Sequence, residues 1–300
     1  MKKLIPFLCL AVLLASCATT KSQEPVTFDV AGNPVSTNLY IETKVQFQAN
    51  GRTIIGTICM PKDAKNVPGV VMLHGTGSSR DEAGNGYAYC APALASAGIA
   101  SIRIDFPGCG ESPEDYSVYN YKTATEDAIA AKAELVKSGS VNAKKVGVLG
   151  WSQGGTNALS AAAADPSFKS VALWAGALDL TTMVNQQMYD EAMKQGYSML
   201  EMGWRTPLKI GKQWFIDAYT TDMDAVVKSI KAPILAINGS KDEDVDPKSG
   251  THIAEIAQNK KSRQYMVEGA DHTYGVFTDP SLKYLSETIS ETVNWFRDTL

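Results

Sequence analysis

Ser152 stands in the pentapeptide Gly150-Trp151-Ser152-Gln153-Gly154, with Gly155 directly behind it. A serine hydroxyl is a poor nucleophile until a base takes its proton. The chain has three histidines from which that base must come. His252 falls in the helical pattern His252-Ile253-Ala254-Glu255, which suits packing or a solvent-facing role. His74 follows an apolar run and precedes Gly75-Thr76-Gly77, well upstream of the serine. His272, in Glu268-Gly269-Ala270-Asp271-His272, follows the last strand at its carboxyl end, where catalytic groups of open sheets collect. It is the expected base. An acid should orient the imidazole and stabilise its charged form. Asp242 lies a tight turn after the preceding strand and is the expected acid, with Asp179 as its competitor. Glu243, Asp244 and Asp246 read as solvated charges or as the N-cap of the next helix. The backbone N–H groups of Thr76 and Gln153 are the expected donors to an oxyanion. His74 is expected to hold that loop by hydrogen bonds rather than to move protons. The chemistry these residues suit is acyl transfer in two steps. The bland alternative for Ser152 is a helix N-cap.

These side chains need elements to place them. Tyr40–Phe47 alternates apolar and polar residues, and Asn50-Gly51 signals a hairpin into Thr53–Met60. Short and mostly continuous apolar runs follow at Gly69–Leu73, Ile99–Ile104, Val146–Leu149, Val171–Trp174 and Ile234–Ile237, with a weaker one at Gln264–Val267. Continuous apolar strands are buried on both faces. Helical stretches separate them at Tyr89–Ala97, Ala124–Lys137, Thr156–Ala164 and Ser249–Gln258, and Leu282–Leu300 closes the chain. The alternation predicts an α/β fold with a mostly parallel sheet covered by helices on both sides. It also puts Ser152 between a strand and a helix, the setting a nucleophile elbow requires.

Residues 180–226 break the alternation and are too long for an ordinary connection. They hold Met183, Met188, Met193, Met199, Met202 and Met223 with Trp204, Trp214, Phe215 and Tyr219. Two expectations apply to different members of this set: helices packed on the main core, and a small cap whose thioethers and rings line a pocket.

At the amino end, Lys2 and Lys3 precede an apolar run from Leu4 to Leu14, too short to span a bilayer. Leu14-Ala15-Ser16-Cys17 resembles the lipobox of bacterial lipoproteins. That resemblance implies a leader of residues 1–16, acylation of Cys17, a tether over 17–38 and attachment to the cell envelope, facing the periplasm or outside. The formal net charge of −4 becomes more negative once the two lysines leave. An acidic chain has no electrostatic case for nucleic acid. Cys59, Cys90 and Cys109 cannot all pair among themselves and match no metal spacing. A disulfide between two of them is open in an oxidising compartment.

Over residues 40–300 the chain resembles the α/β-hydrolase superfamily. Within it, it is most similar to bacterial cinnamoyl and feruloyl esterases and dienelactone-hydrolase-like proteins. The resemblance rests on Val70–Gly77, on Gly98–Phe106 followed by Gly108-Cys109-Gly110-Glu111-Ser112, on Gly150–Gly155, on Gly239–Asp242 and on Gly269–His272. It implies a serine hydrolase of carboxylic esters on a single domain, 39–300, with a cap at about 180–226. No cofactor or metal is called for. Asp105–Ser112 is implied to be a structural loop beside the site. Three departures stand out. Trp151 replaces a histidine common before the nucleophile in these esterases, Thr76 replaces a bulky aromatic, and Ser152 replaces the cysteine of dienelactone hydrolases proper. Esters of plant material, feruloyl, cinnamoyl or acetyl, are the implied substrates. Two rivals remain: a serine peptidase of short peptides, whose oligopeptidase relatives would usually carry a large propeller, and a non-catalytic ligand-binding lipoprotein.

Overall fold

The computed structural model describes residues 37–300. The leader, Cys17 and all but the last two residues of the tether lie outside the described residues. In chain order the elements begin with β1 (Tyr40–Ala49), β2 (Arg52–Pro61), β3 (Val67–Leu73), α1 (Gly86–Ser96), β4 (Ala100–Asp105), α2 (Tyr121–Lys137) and β5 (Val141–Trp151). Then come α3 (Gln153–Ala164), β6 (Phe168–Trp174), α4 (Gln186–Gln195), β7 (Tyr197–Leu200), β8 (Leu208–Gly211), α5 (Lys212–Thr220) and α6 (Met223–Ser229). The chain ends with β9 (Ile234–Gly239), α7 (Lys248–Ile256), β10 (Arg263–Val267) and α8 (Lys283–Thr299). Every strand and helix expected from the periodicity is present, with ends shifted by a few residues.

Eight strands form one sheet in the order β1-β2-β4-β3-β5-β6-β9-β10. The pairs β1/β2 and β2/β4 are antiparallel, and the others are parallel. This is the α/β-hydrolase fold. Alternate residues of the same strand enter different cores, which explains the continuous apolar runs. Val71 and Leu73 pack with Val146 and Val148 against α2 and α3, whereas Val70 and Met72 pack with Leu149 and Trp151 against α1 and α8.

The topology fixes where a site forms. From β3 the chain moves to one neighbour, β4, and then returns past β3 to its other neighbour, β5. The carboxyl ends of β3 and β5 therefore bound a crevice at a switch in strand order, where ligands of open α/β sheets bind. His74 follows β3 and Ser152 follows β5. Because β9 and β10 run parallel to them, Asp242 and His272 leave the sheet on the same edge.

Residues 180–226 are more than a pair of helices. They contain α4, the antiparallel hairpin β7/β8, α5 and the start of α6. Short strands with a lysine and a serine among few apolar residues carry too weak an alternation to be seen in sequence. The two expectations for the aromatic and thioether residues divide by position. Trp214, Phe215 and Met223 are buried in the main core, and Met183, Met188, Met193 and Met202 pack partly buried against it. Trp204, Met199 and Tyr219 are exposed. The Asp217 carboxylate accepts the Tyr121 N–H at 3.1 Å and ties α5 to the start of α2. Among the described residues, no helix is long and apolar enough to cross a membrane.

Candidate active site

The turn around Ser152 is as sharp as the spacing of its glycines implies. Ser152 sits at φ 55°, ψ −123°. A side chain at Gly150 would run into the Gly154 carbonyl, and one at Gly154 into the Leu73 carbonyl. Strained backbone of this kind costs on the order of 1–3 kcal/mol and persists only where the surroundings dictate it. Here they do: Ser152 N–H donates to the Trp174 carbonyl at 2.9 Å, and its own carbonyl accepts from Gly155 at 2.8 Å and Ala177 at 3.1 Å. The Ser152 side chain makes no capping hydrogen bond to α3, so the N-cap alternative loses its physical basis. The residue is left half-buried at the carboxyl end of β5.

His272 and Asp242 meet from neighbouring strand ends. Nδ1 of His272 lies 2.9 Å from Oδ2 and 3.1 Å from Oδ1 of Asp242. A carboxylate only accepts, so Nδ1 carries the proton and Nε2 is left as the basic nitrogen. The Asp242 side chain is fully buried, and its Oδ1 also accepts from the N–H groups of Asp244 at 2.9 Å and Val245 at 2.8 Å. Burial pulls the His272 imidazole down. The hydrogen bond and charge of Asp242, with the charges of Asp244 and Glu82, more than offset that and hold it above its ordinary value. The two turns are laced by main chain: Ser240 N–H to Val267 at 3.1 Å and Lys241 N–H to Ala270 at 2.9 Å.

The competing acid is elsewhere. Asp179 is exposed and spends Oδ1 on the N–H and hydroxyl of Thr181 at 2.8 and 2.6 Å. His252 is exposed on α7 and pairs with Asp224 at 2.8 Å. Asp246 accepts the Lys248 N–H at 2.9 Å one residue before the Pro247 cap of α7, and Glu243, Asp244 and Asp246 are all exposed. Asp242, Asp244 and His272 hold ligand atoms within 4.8 Å of one another and form a metal-sized cluster. The buried Asp242 carboxylate is already engaged by His272 and two N–H groups there, which leaves it little to offer an ion.

On the other side of Ser152, the buried His74 holds its loop as expected. Its Nδ1 donates to the Gly75 carbonyl at 2.7 Å, and its Nε2 accepts the Phe106 N–H at 3.0 Å. Burial keeps the ring's pKa below its ordinary value, in keeping with a neutral, non-titrating role. Thr76 Oγ1 donates to Gln153 Oε1 at 2.6 Å and touches Met183 Sδ at 3.6 Å, so the two expected oxyanion residues and the insertion meet. Gln153 opens α3, where N–H groups have no intrahelical acceptor. Its Nε2 is buried with no partner among the described residues.

Four residues here had been given no part. The Trp151 indole N–H donates to the His272 carbonyl at 3.1 Å, so the departure noted before Ser152 links the elbow to His272. Tyr274 is buried in the same aromatic cluster as Trp151 and donates its hydroxyl to the Ile237 carbonyl at 2.8 Å. Arg205, in the β7–β8 loop, donates to the Gly77 carbonyl and, at 3.1 Å, to the Gly108 carbonyl. Glu82 accepts from the Gly75 N–H. Only Trp151 carried a signal in sequence, as an aromatic where a polar ring was expected. Cys59, Cys90 and Cys109 are buried free thiols, and burial pushes Cys109 up to about 12. Asp105, expected in a structural loop, binds the N–H groups of Arg80 at 2.7 Å and Glu111 at 3.0 Å.

With this geometry in place, comparison with known proteins adds a family. Residues 87–300 match the model of the prolyl oligopeptidase family, and the chain belongs to it. It is thus a hydrolase of the α/β-hydrolase superfamily. No curated protein matches. Among solved structures, the chain is similar to the α/β hydrolase GrgF from a Penicillium species, at a TM-score of 0.72 and 18% identity, covering 86% of this chain and 99% of that one. Est1E from Butyrivibrio proteoclasticus, solved with ferulic acid bound, gives 0.65 and 19%, over 83% and 97%. A dienelactone hydrolase from Anabaena variabilis gives 0.57 and 20%, over 87% and 99%. At these identities the likeness speaks for the fold.

Proposed function

We propose that the chain hydrolyses carboxylic esters through an acyl-enzyme, with Ser152 as nucleophile, His272 as base and Asp242 as the acid that orients it. The observation that carries this reading is the His272 Nδ1–Asp242 pair at 2.9 Å, placed on the same sheet edge as a strained serine. Ser152 Oγ attacks the ester carbonyl carbon as Nε2 of His272 takes its proton. The resulting oxyanion lies between the N–H groups of Thr76 and Gln153. Collapse breaks the carbon–oxygen bond to the alcohol, which leaves with the proton from His272. A water then repeats the sequence on the acyl-serine and releases the acid. Loss of one oxyanion donor lowers kcat by about 10²- to 10³-fold in sites of this type.

Feruloyl, cinnamoyl or acetyl esters of plant material are the proposed substrates, supported by the fold shared with an esterase solved with ferulic acid. The family match supports a second reading, cleavage of short peptides by the same residues. We further propose acylation of Cys17 and anchorage at the bacterial envelope, with the domain at 39–300 and the insertion as its cap; mass spectrometry of the native N-terminal peptide tests the lipid, an unmodified Cys17 overturning it. For the activity, the purified protein and Ser152→Ala are compared on an aryl acetate, methyl ferulate and a short chromogenic peptide amide. Wild-type turnover of acetate and ferulate that Ser152→Ala lacks is expected. Equal rates for the two proteins overturn the catalytic reading, and amide turnover without ester turnover replaces it with the peptidase.

A further inference from the structure

Glu82 belongs neither to the proposed triad nor to any segment that carried the sequence resemblance, yet it is a tightly held carboxylate near the site. It lies in the turn before α1, only 9% exposed. Its backbone, at φ 64° and ψ 179°, occupies a region that glycine alone enters without strain. Five hydrogen bonds hold it there. Its N–H donates to Ser79 at 3.0 Å, and its carbonyl accepts from Asn85 at 3.1 Å. The carboxylate accepts the Gly75 N–H through Oε1, and the Ser78 hydroxyl at 2.6 Å and the Ala83 N–H at 2.7 Å through Oε2. No lysine, arginine or histidine forms an ion pair with it among the described residues. A buried carboxylate without a cation is costly unless hydrogen bonds satisfy it, and a strained non-glycine persists only where its neighbours enforce it.

Its partners say what the strain achieves. Gly75 and Ser78 flank Thr76 and Gly77, so the carboxylate grips the oxyanion loop on both sides. Gly75 is also where the loop meets the nucleophile. A Cβ built there would lie 3.1 Å from Ser152 Cβ and 3.2 Å from Glu82 Oε1, so serine and carboxylate both border the space that this glycine leaves open. The Gly75 N–H would otherwise be a free donor beside the nucleophile. With Glu82 on it, the next N–H in the loop, that of Thr76, is the one left for an oxyanion.

We propose that Glu82 is a positioning residue of the acyl-transfer site: it withdraws the Gly75 N–H, sets Thr76 as the oxyanion donor, and adds a second buried carboxylate to the site. The inference rests on the triad reading above. The charges that act on the imidazole are those of Asp242 and Asp244 from the turn after β9 and of Glu82 from the loop side. Asp271, on the histidine's own loop, spends its oxygens on Thr273, Gly275 and Thr278. When Ser152 gives up its proton, the imidazolium gains from each facing anion. The same charge disfavours a nearby oxyanion, and the three donors on the Glu82 carboxylate are what blunt that effect.

A plain loop staple and this role separate by pH profile. Wild type, Ser152→Ala, Glu82→Gln and Glu82→Gly are compared for kcat and KM on an aryl acetate across pH, beside thermal midpoints. Glu82→Gln is expected to lower kcat by about 10- to 100-fold with little change in KM, the size of a displaced donor. Its acid limb should move to lower pH, because His272 has lost an anion. Glu82→Gly relieves the backbone strain and removes the carboxylate, so its limb should move the same way even if Glu82→Gln folds poorly. Wild-type kcat with an unmoved limb, or a uniform loss at every pH with the limb unmoved, overturns the proposal. Equal wild-type and Ser152→Ala rates would instead overturn the triad reading, so the two failures are distinguishable.

Discussion

The two halves of the site are held by different mixtures of bond, with main-chain bonds between the two turns prominent on one side and clamping side chains on the other. On the acid–base side, the turns bearing Asp242 and His272 are laced by main-chain hydrogen bonds and backed by the buried rings of Trp151, Trp174 and Tyr274. On the oxyanion side, the loop from His74 to Glu82 is held by side chains: His74 on Gly75, Glu82 on Gly75 and Ser78, and Arg205 on Gly77. Main-chain lacing survives most substitutions, whereas side-chain clamps disappear with one. Damage should therefore reach the chemistry directly on the first side and through loop geometry on the second.

The largest effect expected is on the acid–base side. Asp242→Asn keeps the shape but presents an amide to Nδ1, which favours the tautomer with the proton on Nε2. A fall in kcat of about 10⁴ is the size such a change produces in a serine triad. Asp179→Asn, on an exposed side chain committed to Thr181, should stay within about twofold, the range of an ordinary surface change. Steady-state kinetics on an aryl acetate check both, and the reverse ranking would move the acid to Asp179.

Arg205→Ala tests the other half. The guanidinium bridges the oxyanion loop at Gly77 and the loop after β4 at Gly108, from a hairpin that is otherwise peripheral. Removing it should lower kcat/KM by about tenfold, the worth of one charge-assisted hydrogen bond at roughly 1.5 kcal/mol. Arg205→Lys should restore little, since one ammonium cannot replace the planar fork that reaches both carbonyls. A loss near that of Asp242→Asn would mean the two halves are not distinct.

Trp151→Phe sharpens the comparison from the elbow. Phenylalanine keeps the ring among its aromatic neighbours but deletes the indole N–H on the His272 carbonyl. We expect about a fivefold lower kcat, one neutral hydrogen bond at roughly 1 kcal/mol, and a lower thermal midpoint from the carbonyl left unpaired. An unchanged kcat beside a lowered midpoint would make Trp151 a core residue alone.

What the sequence made legible follows the same division. The acid–base half rests on strand periodicity and on residues placed just past strand ends, and both are local patterns. That His272 would meet Asp242 rather than Asp179 could be read from them. The oxyanion half depends on contacts between distant segments, Glu82 on Gly75 and Arg205 on Gly77, for which no spacing rule exists. The β7/β8 hairpin was missed for a related reason. Its four-residue strands are stabilised by seating on the core through Leu208 and Ile210 rather than by their own alternation.

The smallest effect expected concerns pH, and it runs in opposite directions for activity and stability. In the proposed mechanism His272 must be neutral to take the serine proton, and its partners hold its pKa above the ordinary 6.5. Activity should therefore fall as pH drops through that raised value, with the acid limb of kcat/KM above the usual histidine range. Stability behaves inversely. A group whose folded pKa exceeds its unfolded one stabilises the native state fully below the unfolded value, and that contribution is lost as pH rises through the folded one. Comparing the thermal midpoint of the wild type with that of His272→Gln isolates the term, since His74, His252 and the carboxylates are common to both. The wild-type advantage should be greatest below the ordinary imidazole value of 6.5 and should shrink as pH rises above it. An advantage that grows with pH would mean that the Asp242 contact favours the neutral ring, and the base would then have to be sought without that partner. If the advantage shrinks as expected, the protein is most active where the His272–Asp242 pair stabilises it least.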